Sequence, residues 1–484
     1  DEPAAVFEVQ SLDELVADDS AAEPGAAKRP PLDDTRSGDW NGTSPFMNLQ
    51  MFSKAEDAYI NAVVQAIHSG KPPLRTVTDL RALWRETTGL EVDGRNQKRA
   101  EELAELAIVL YGRDRVEKGR ALDEPPAVQR RAVFDALSEA YEQRQPTLGT
   151  RTSTSVEQQA YSTPLPIAFL ASELAGIGPE SSVYEPTAGN GMLLIGANPE
   201  NVIANELNGD REAALRIQDF AVVSNRDAST FVPRDQVDVV IANPPFGAVR
   251  DEDGQSRRFQ IDVADADYST TEIDHAIAFK ALQAMKDDGR AVLIVGSVAK
   301  TARSEEARAE AYNGAAKRQF FYFLYRDYNV TQHFTVSGDL YRKQGAAWPV
   351  DVIVIEGRGR SERALPAVEP PRVYDSWDSL KGLLDEADRL DARRPTEDGR
   401  RAGDRARPDR QPDDRGVPGP AGDPGAGVGR RGGATSGGRG GVRGDSRQGG
   451  LLPGDSGRSV RGGRDADPEQ RQPAPGPSDA GRDA

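Results

Sequence analysis

The stretch VVIANPPFG, Val239 to Gly247, runs three β-formers and an alanine into an Asn, two prolines, a Phe and a Gly. Consecutive prolines fix φ and hold the residue before them extended. Asn243 presents an acceptor and a donor. Pro244 and Pro245 have no N–H to engage a nearby carbonyl, so a backbone carbonyl of the Asn-Pro-Pro unit stays free to accept. Two convergent acceptors suit a planar NH₂ with its two hydrogens, and Phe246 can stack on the ring or amide attached to it. Binding of this kind orients the nitrogen lone pair and stabilises the positive charge that grows as a carbon electrophile is transferred. No strong base is needed, because the product ammonium loses its proton readily. The plainer alternative, a rigid turn capping a strand, requires neither the Asn nor the Phe.

A second stretch, VYEPTAGNG from Val183 to Gly191, is a strand, an acid and a glycine-rich turn leading into Met192-Leu193-Leu194. Gly189 and Gly191 let the backbone approach a ligand closely. The turn lacks the lysine of a phosphate loop, and Glu185 repels phosphate while accepting from an ammonium or water. Alone, such a turn is either a cofactor site or simply a tight turn. The spacing adds to it: Glu206 follows Gly191 by 15 residues, Asp227 follows by 21 more, and Asn243 by a further 16. Acid or amide residues therefore recur after successive strands, on the edge where open α/β sheets bind ligands. An acid at the end of the second strand is placed to accept from ribose hydroxyls.

The elements that must hold these residues alternate. Helix is expected over 169–175, 210–223 and, as an amphipathic helix, 274–285. Strands are expected at 183–184, 201–205, 236–242 and 290–296, a βαβ pattern. Val330–Val336 and Val350–Glu356 are joined without a helix and predict an antiparallel hairpin at the sheet edge. Earlier, SKAE at Ser53–Glu56 reads as a capping box, and helical patterns run through 101–111 and 128–141. The fold class is α/β: a Rossmann-like mixed sheet with an antiparallel edge hairpin, preceded by a small helical domain and followed by a disordered tail. The segments are an acidic arm (1–45), a helical domain for scaffolding or docking (46–150), the catalytic-type domain (151–365), a linker with a short strand and helix (366–400), and the tail (401–484).

That tail holds 22 of the chain's 48 glycines and too few large apolar residues to offset chain ordering. Its 15 Arg and 12 acids make it +3, so a net charge of −17 leaves the rest at −20. An acidic body argues against broad nonspecific nucleic-acid affinity, though not against a local basic groove. The tail's Gly-Arg runs read as linker rather than nucleic-acid contacts. There is no cysteine, and His68, His275 and His333 are too scattered for a His-x-x-x-His metal site. No apolar run is long enough for a membrane span and no signal peptide is visible, so a cytoplasmic location is expected. The chain opens at Asp1, read as processing or a fragment.

EPTAGNG (Glu185–Gly191) followed by NPPF (Asn243–Phe246) resembles the amino-group class of S-adenosylmethionine-dependent methyltransferases. The most similar are N6-adenine DNA methyltransferases with the cofactor motif ahead of the catalytic one. QAYSTPLPIA (Gln159–Ala168) resembles that family's additional N-terminal cofactor motif. The resemblance implies that Tyr161, Thr163 and Pro164 lie over the cofactor, and that Glu185, Pro186, Thr187, Gly189 and Gly191 cradle it. It also implies that Glu206 holds the ribose and that Asp227 with Ala228 contacts the cofactor adenine. Asn243, Pro244, Pro245 and Phe246 would be the catalytic platform, with no metal. DHAIAFKAL and GRAVLIV resemble the helix and strand that follow. The likeness covers about 155–360 and is nearest to methylase-like portions of phage and plasmid helicase fusions.

Two features depart from the family: no substantial target-recognition segment follows the core, and the body is acidic. They imply a helicase or other protein partner that supplies recognition. The leading function is methyl transfer to adenine N6 in DNA. RNA adenine, cytosine N4 or protein glutamine offers the same NH₂, and a catalytically silent assembly module is the reading from another class. Tyr312–Tyr328 is the aromatic-basic cluster near the site, read as a buried helix ahead of a nucleic-acid clamp. His275 is read as capping or packing, and Trp348 as core.

Overall fold

The computed structural model describes residues 53–93, 96–148, 162–249, 255–263, 266–298, 302–344 and 348–392. Tyr161, the arm 1–45 and the tail 401–484 lie outside them.

Branched runs form strands β1 (Val183–Glu185), β2 (Val202–Asn205), β3 (Val222–Ser224), β4 (Val237–Ala242) and β7 (Met285–Gly296), and the hairpin partners are β8 (Tyr328–Val336) and β9 (Val350–Arg358). With the short β10 (Arg372–Tyr374) they make one eight-stranded sheet in the order β10-β8-β9-β7-β4-β1-β2-β3. β3, β2, β1, β4 and β7 are parallel, and β9 runs antiparallel between β7 and β8. The expected hairpin is present, but it is one strand in from the edge, because β10 pairs in parallel with the outer side of β8. Strand order reverses beside β1, where the chain leaves for β2 on one side and β4 on the other. In an open α/β sheet that crevice lies at the carboxyl ends of the strands and is where a ligand fits.

Period-two alternation sends Val239 and Ile241 to one face and Val240 and Ala242 to the other, and both faces are covered. On the first face α5 (Leu165–Leu174) packs against β7, and α1 (Lys54–Ser69), α2 (Val77–Thr88), α3 (Gln97–Arg120) and α4 (Pro126–Glu139) extend the same apolar cluster outward. Ser53 and Glu56 form the capping box that opens α1. Side chains of these helices and of β1, β2, β4 and β7 belong to one continuous apolar core. Helices α10 (Trp377–Lys381) and α11 (Leu384–Ala392) pack back on this layer, with Arg130 Nη1 2.6 Å from Asp388 and Trp377 Nε1 donating to Glu142 at 2.8 Å.

Three local expectations are corrected. The helix read over 210–223 is α6 (Gly209–Arg216) and the strand β3; Asp219, at φ +56°, ends the helical run between them. The amphipathic helix read over 274–285 is α7 (Ile273–Leu282), and it is buried nearly all round. A hairpin of β5 (Phe259–Val263) and β6 (Ala266–Thr270), helix α9 (Ala315–Asp327) and the sheet share its core. Trp348 is not core: it is 50 % exposed, with its indole N–H donating to the Ser297 carbonyl at 3.2 Å.

The aromatic-basic segment runs from the last residue of α8 (Glu305–Tyr312) through α9 to the first of β8, and Phe320, Phe321, Phe323, Leu324 and Tyr325 are buried, in line with the packing reading. His275 is fully buried and stacks on Phe320 with ring centroids 4.0 Å apart. Burial pushes its pKa down to about 3, despite the opposing pull of Asp274, so the ring is neutral.

Candidate active site

The strand ends converge on a cleft of about 270 Å³. Its walls include Thr163, Glu185, Pro186, Thr187, Gly189, Glu206, Asp227, Ala228, Asn243, Pro244, Pro245 and Phe246. Of the described residues singled out in the sequence, only Pro164 and Gly191 are not in the lining. Pro164 precedes the first turn of α5, and Gly191 closes the turn behind the lining with φ +92°.

The turn after β1 is held from below and from the side. The Gly189 N–H donates to Glu206 Oε2 at 2.8 Å, and the Asn208 N–H donates to Glu206 Oε1 at 2.7 Å. Asn205 spends its whole amide on two other chain segments. Its Nδ2 donates to the carbonyls of Pro186 and Arg226, each at 2.9 Å, and its Oδ1 accepts from the Ser224 hydroxyl at 2.7 Å and the Arg226 N–H at 3.1 Å. The loops after β1, β2 and β3 are thereby locked to one another.

Glu185 ends β1 with one carboxylate oxygen, Oε2, buried and without a hydrogen-bond partner. Burial first, and the neighbouring Glu206 second, raise its pKa well above the ordinary 4.5. A cation beside Glu185 would relieve both effects. Asp227 is the opposite case. Partial burial opposes its charge, but hydrogen bonds from the Ser229 hydroxyl and N–H, with the Arg257 guanidinium 3.4 Å away, hold its pKa below the usual value.

At the end of β4 the Asn243 carboxamide donates through Nδ2 to Thr163 Oγ1 at 2.8 Å, while Oδ1 is buried with no partner. The loop that follows is pinned by Asp274. Its Oδ2 accepts from the Gly296 N–H at 3.0 Å and its Oδ1 from the Gly247 N–H at 3.4 Å. Lys317 donates to the Gly296 carbonyl and lies 3.3 Å from His275 Nε2. A Cβ on Gly296 would stand 3.4 Å from Phe246 Cβ, so the bare end of β7 is the floor under the Phe246 ring.

Sequence reasoning missed what the helical layer brings. Lys98, Glu102 and Glu105 of α3 line the same cleft, as do Ser162 and Arg211. The signal available was Glu102 and Glu105, three residues apart inside EELAELAIVLY and so on one face of the helix. Arg211 Nε is 2.8 Å from Glu102 Oε2, and its Nη2 is 3.6 Å from Glu105 Oε2. Burial works against the Glu102 charge, yet Arg211 and Asn190 hold its pKa below the ordinary range. Glu105, with burial and Glu102 against it, lies above that range.

Among the described residues no group of three or more His, Cys, Asp or Glu is placed to hold a metal ion, and no helix is long and apolar enough to cross a membrane. No protein-family profile matches the chain, and no curated protein matches it. Solved structures do resemble it. One is a Listeria monocytogenes protein with the provisional label of class I S-adenosylmethionine-dependent methyltransferase, at 13 % identity and TM-score 0.32, covering 70 % of this chain and 92 % of that one. Another is a Vibrio vulnificus modification subunit of a provisionally assigned type I restriction enzyme, at 14 % identity and TM-score 0.33, covering 62 % of this chain and 66 %, just under two thirds, of that one. A third is the M protein of the type I restriction enzyme EcoKI, at 14 % identity and TM-score 0.31, covering 65 % and 71 %. Likenesses this low assign no activity.

Proposed function

We propose that the chain transfers a methyl group from S-adenosylmethionine to a planar amino group, with adenine N6 in DNA as the acceptor. The observation that carries the reading is the Asn243 carboxamide. Its Nδ2 donates to Thr163, its acceptor oxygen is buried and unpaired, and the residue lines the cleft beside Pro244, Pro245 and Phe246.

The cleft fits the cofactor by its chemistry. Glu185, with an orphaned oxygen and a raised pKa, suits a ligand bearing an ammonium and a sulfonium. Glu206 and Asp227 stand after β2 and β3, at the positions that suit a ribose and a nucleobase edge, with Ala228 beside Asp227. Thr163, Pro186, Thr187 and Gly189 complete the lining, with Pro164 and Gly191 behind it and Tyr161 assigned to the cofactor from the sequence motif alone. Bound there, S-adenosylmethionine supplies an electrophilic methyl carbon.

Everything else falls to this chain's residues. Asn243 Oδ1 and a carbonyl of the Asn-Pro-Pro unit accept the two amino hydrogens, which directs the nitrogen lone pair away from them. Phe246, held by Gly296 and Asp274, stacks on the acceptor ring. The same two acceptors stabilise the nitrogen as it becomes cationic, and its proton then leaves to solvent. The motif supports any NH₂ on a flat group. DNA adenine is the carrier that the motif order favours, and a flipped base is the form in which a duplex would present it.

The test uses radiolabelled S-adenosylmethionine with DNA, RNA and protein acceptors, comparing wild type with Asn243→Ala. The expected result is label on DNA as N6-methyladenine in nucleoside digests, falling by about a hundredfold or more in the variant. Labelling that survives Asn243→Ala unchanged, or no binding of the cofactor, overturns the reading.

A further inference from the structure

The glycine-rich turn and the Asn243 amide come from different parts of the sheet, yet one cluster on the helical layer bonds the turn directly and reaches the amide through Ser162 and Thr163. Glu102 Oε2 accepts from Asn190 Nδ2 at 3.0 Å and from Arg211 Nε at 2.8 Å. Asn190 lies between the two glycines of the turn. One helical turn along α3, Glu105 accepts from the Ser162 hydroxyl. Ser162 is followed directly by Thr163, whose hydroxyl oxygen takes the Asn243 N–H at 2.8 Å. Arg211 reaches over both carboxylates from α6, and its own pKa is raised by them against the cost of burial.

We infer that Glu102, Glu105 and Arg211 form a positioning device in which Glu102 sets the glycine-rich turn and Glu105 sets the Thr163–Asn243 pair. None of the three touches the reacting atoms in this assignment; they act through Asn190 and Ser162. The helical layer is then part of the site's construction, and its two glutamates divide the work. The inference deepens the methyl-transfer reading and rests on it for its kinetic half. Its structural half stands without any ligand.

Removing a charged acceptor from a hydrogen bond that orients a loop costs about tenfold in what that loop does. Glu102→Gln is therefore expected to weaken S-adenosylmethionine binding about tenfold by calorimetry, with kcat at saturating cofactor within about threefold of wild type. Glu105→Gln is expected to give the reverse split, a kcat about tenfold lower with cofactor affinity nearly unchanged. Asn190→Ala breaks the Glu102 contact from the other side without touching α3 and is expected to reproduce Glu102→Gln.

Amide hydrogen exchange on the ligand-free protein supplies the independent readout. Exchange should quicken at 188–191 in Glu102→Gln and Asn190→Ala, and at 162–165 in Glu105→Gln, with α1 and α2 unaltered. The inference is overturned if neither segment changes, if both glutamate variants loosen the whole helical layer alike, or if Asn190→Ala leaves turn and affinity as in wild type. Exchange changes as expected in a protein that binds no S-adenosylmethionine would uphold the brace and overturn the cofactor reading instead.

Discussion

Asn243 gives its amide N–H to Thr163 Oγ1 at 2.8 Å and leaves Oδ1 buried with no partner. An amide side chain has two nearly isosteric orientations, and the threonine hydroxyl, able to donate or accept, here makes the selection by accepting the N–H of the one that leaves Oδ1 unpaired. Thr163 is itself buried, so its hydroxyl has little else to bond. Thr163→Val keeps the shape and removes that selection. It is expected to lower kcat about tenfold to a hundredfold, whereas Thr163→Ser, which retains the hydroxyl, keeps most of the rate; single-turnover methylation measures both.

Glu185 sets a pH dependence of stability. Its folded-state pKa lies well above 4.5, so its contribution to stability is complete below the unfolded value and is lost as pH rises through the folded value. Glu185→Gln is expected to raise the thermal midpoint of the ligand-free protein at pH 8 and to leave it little changed at pH 4. The same substitution is expected to cost at least about tenfold in affinity for S-adenosylmethionine. In wild type a cationic ligand must displace the proton, so affinity rises with pH and binding releases protons, visible by calorimetry in buffers of different ionisation enthalpy.

Gly296 gives a graded prediction. An added Cβ meets Phe246 Cβ at 3.4 Å and Asp274 Oδ2 at 3.5 Å, both ordinary contacts. Gly296→Ala is therefore expected to fold and to work nearly as wild type. Gly296→Val adds two methyls against the Phe246 ring, an overpacking that costs about 1–3 kcal/mol. It is expected to reduce kcat/KM for the acceptor more than affinity for the cofactor. Parallel losses in both would show the ring is not what the glycine positions.

The parts of this molecule that could be read from its sequence are those whose signal is local. Branched runs marked β1, β2, β4, β7 and the hairpin, and a double proline after a strand marked the loop after β4 that lines the cleft. β3 was hidden because Ile217, Phe220 and Val223 continue the apolar spacing of the preceding helix, and only the left-handed backbone at Asp219 breaks it. α7 looked amphipathic because Asp274, His275 and Lys280 are polar. In the fold Asp274 is spent on the Gly247 and Gly296 amides, and His275 is neutral and stacked. Trp348 looked like core for its size, but its indole N–H needs an acceptor, and the Ser297 carbonyl holds it at the surface. The Glu102–Arg211 pairing spans 109 residues, a distance over which no periodicity carries information.

The continuous apolar core shared by α1–α5 and the first face of the sheet has a consequence for how this chain can be cut and how it can change. A fragment trimmed to begin at residue 162 would keep α5 but lose α1–α4, the rest of that shared core, and is expected to precipitate. The helices cannot be swapped for another cover without re-matching that surface, so layer and sheet have to change together, a substitution on one side of the seam calling for a matching one on the other.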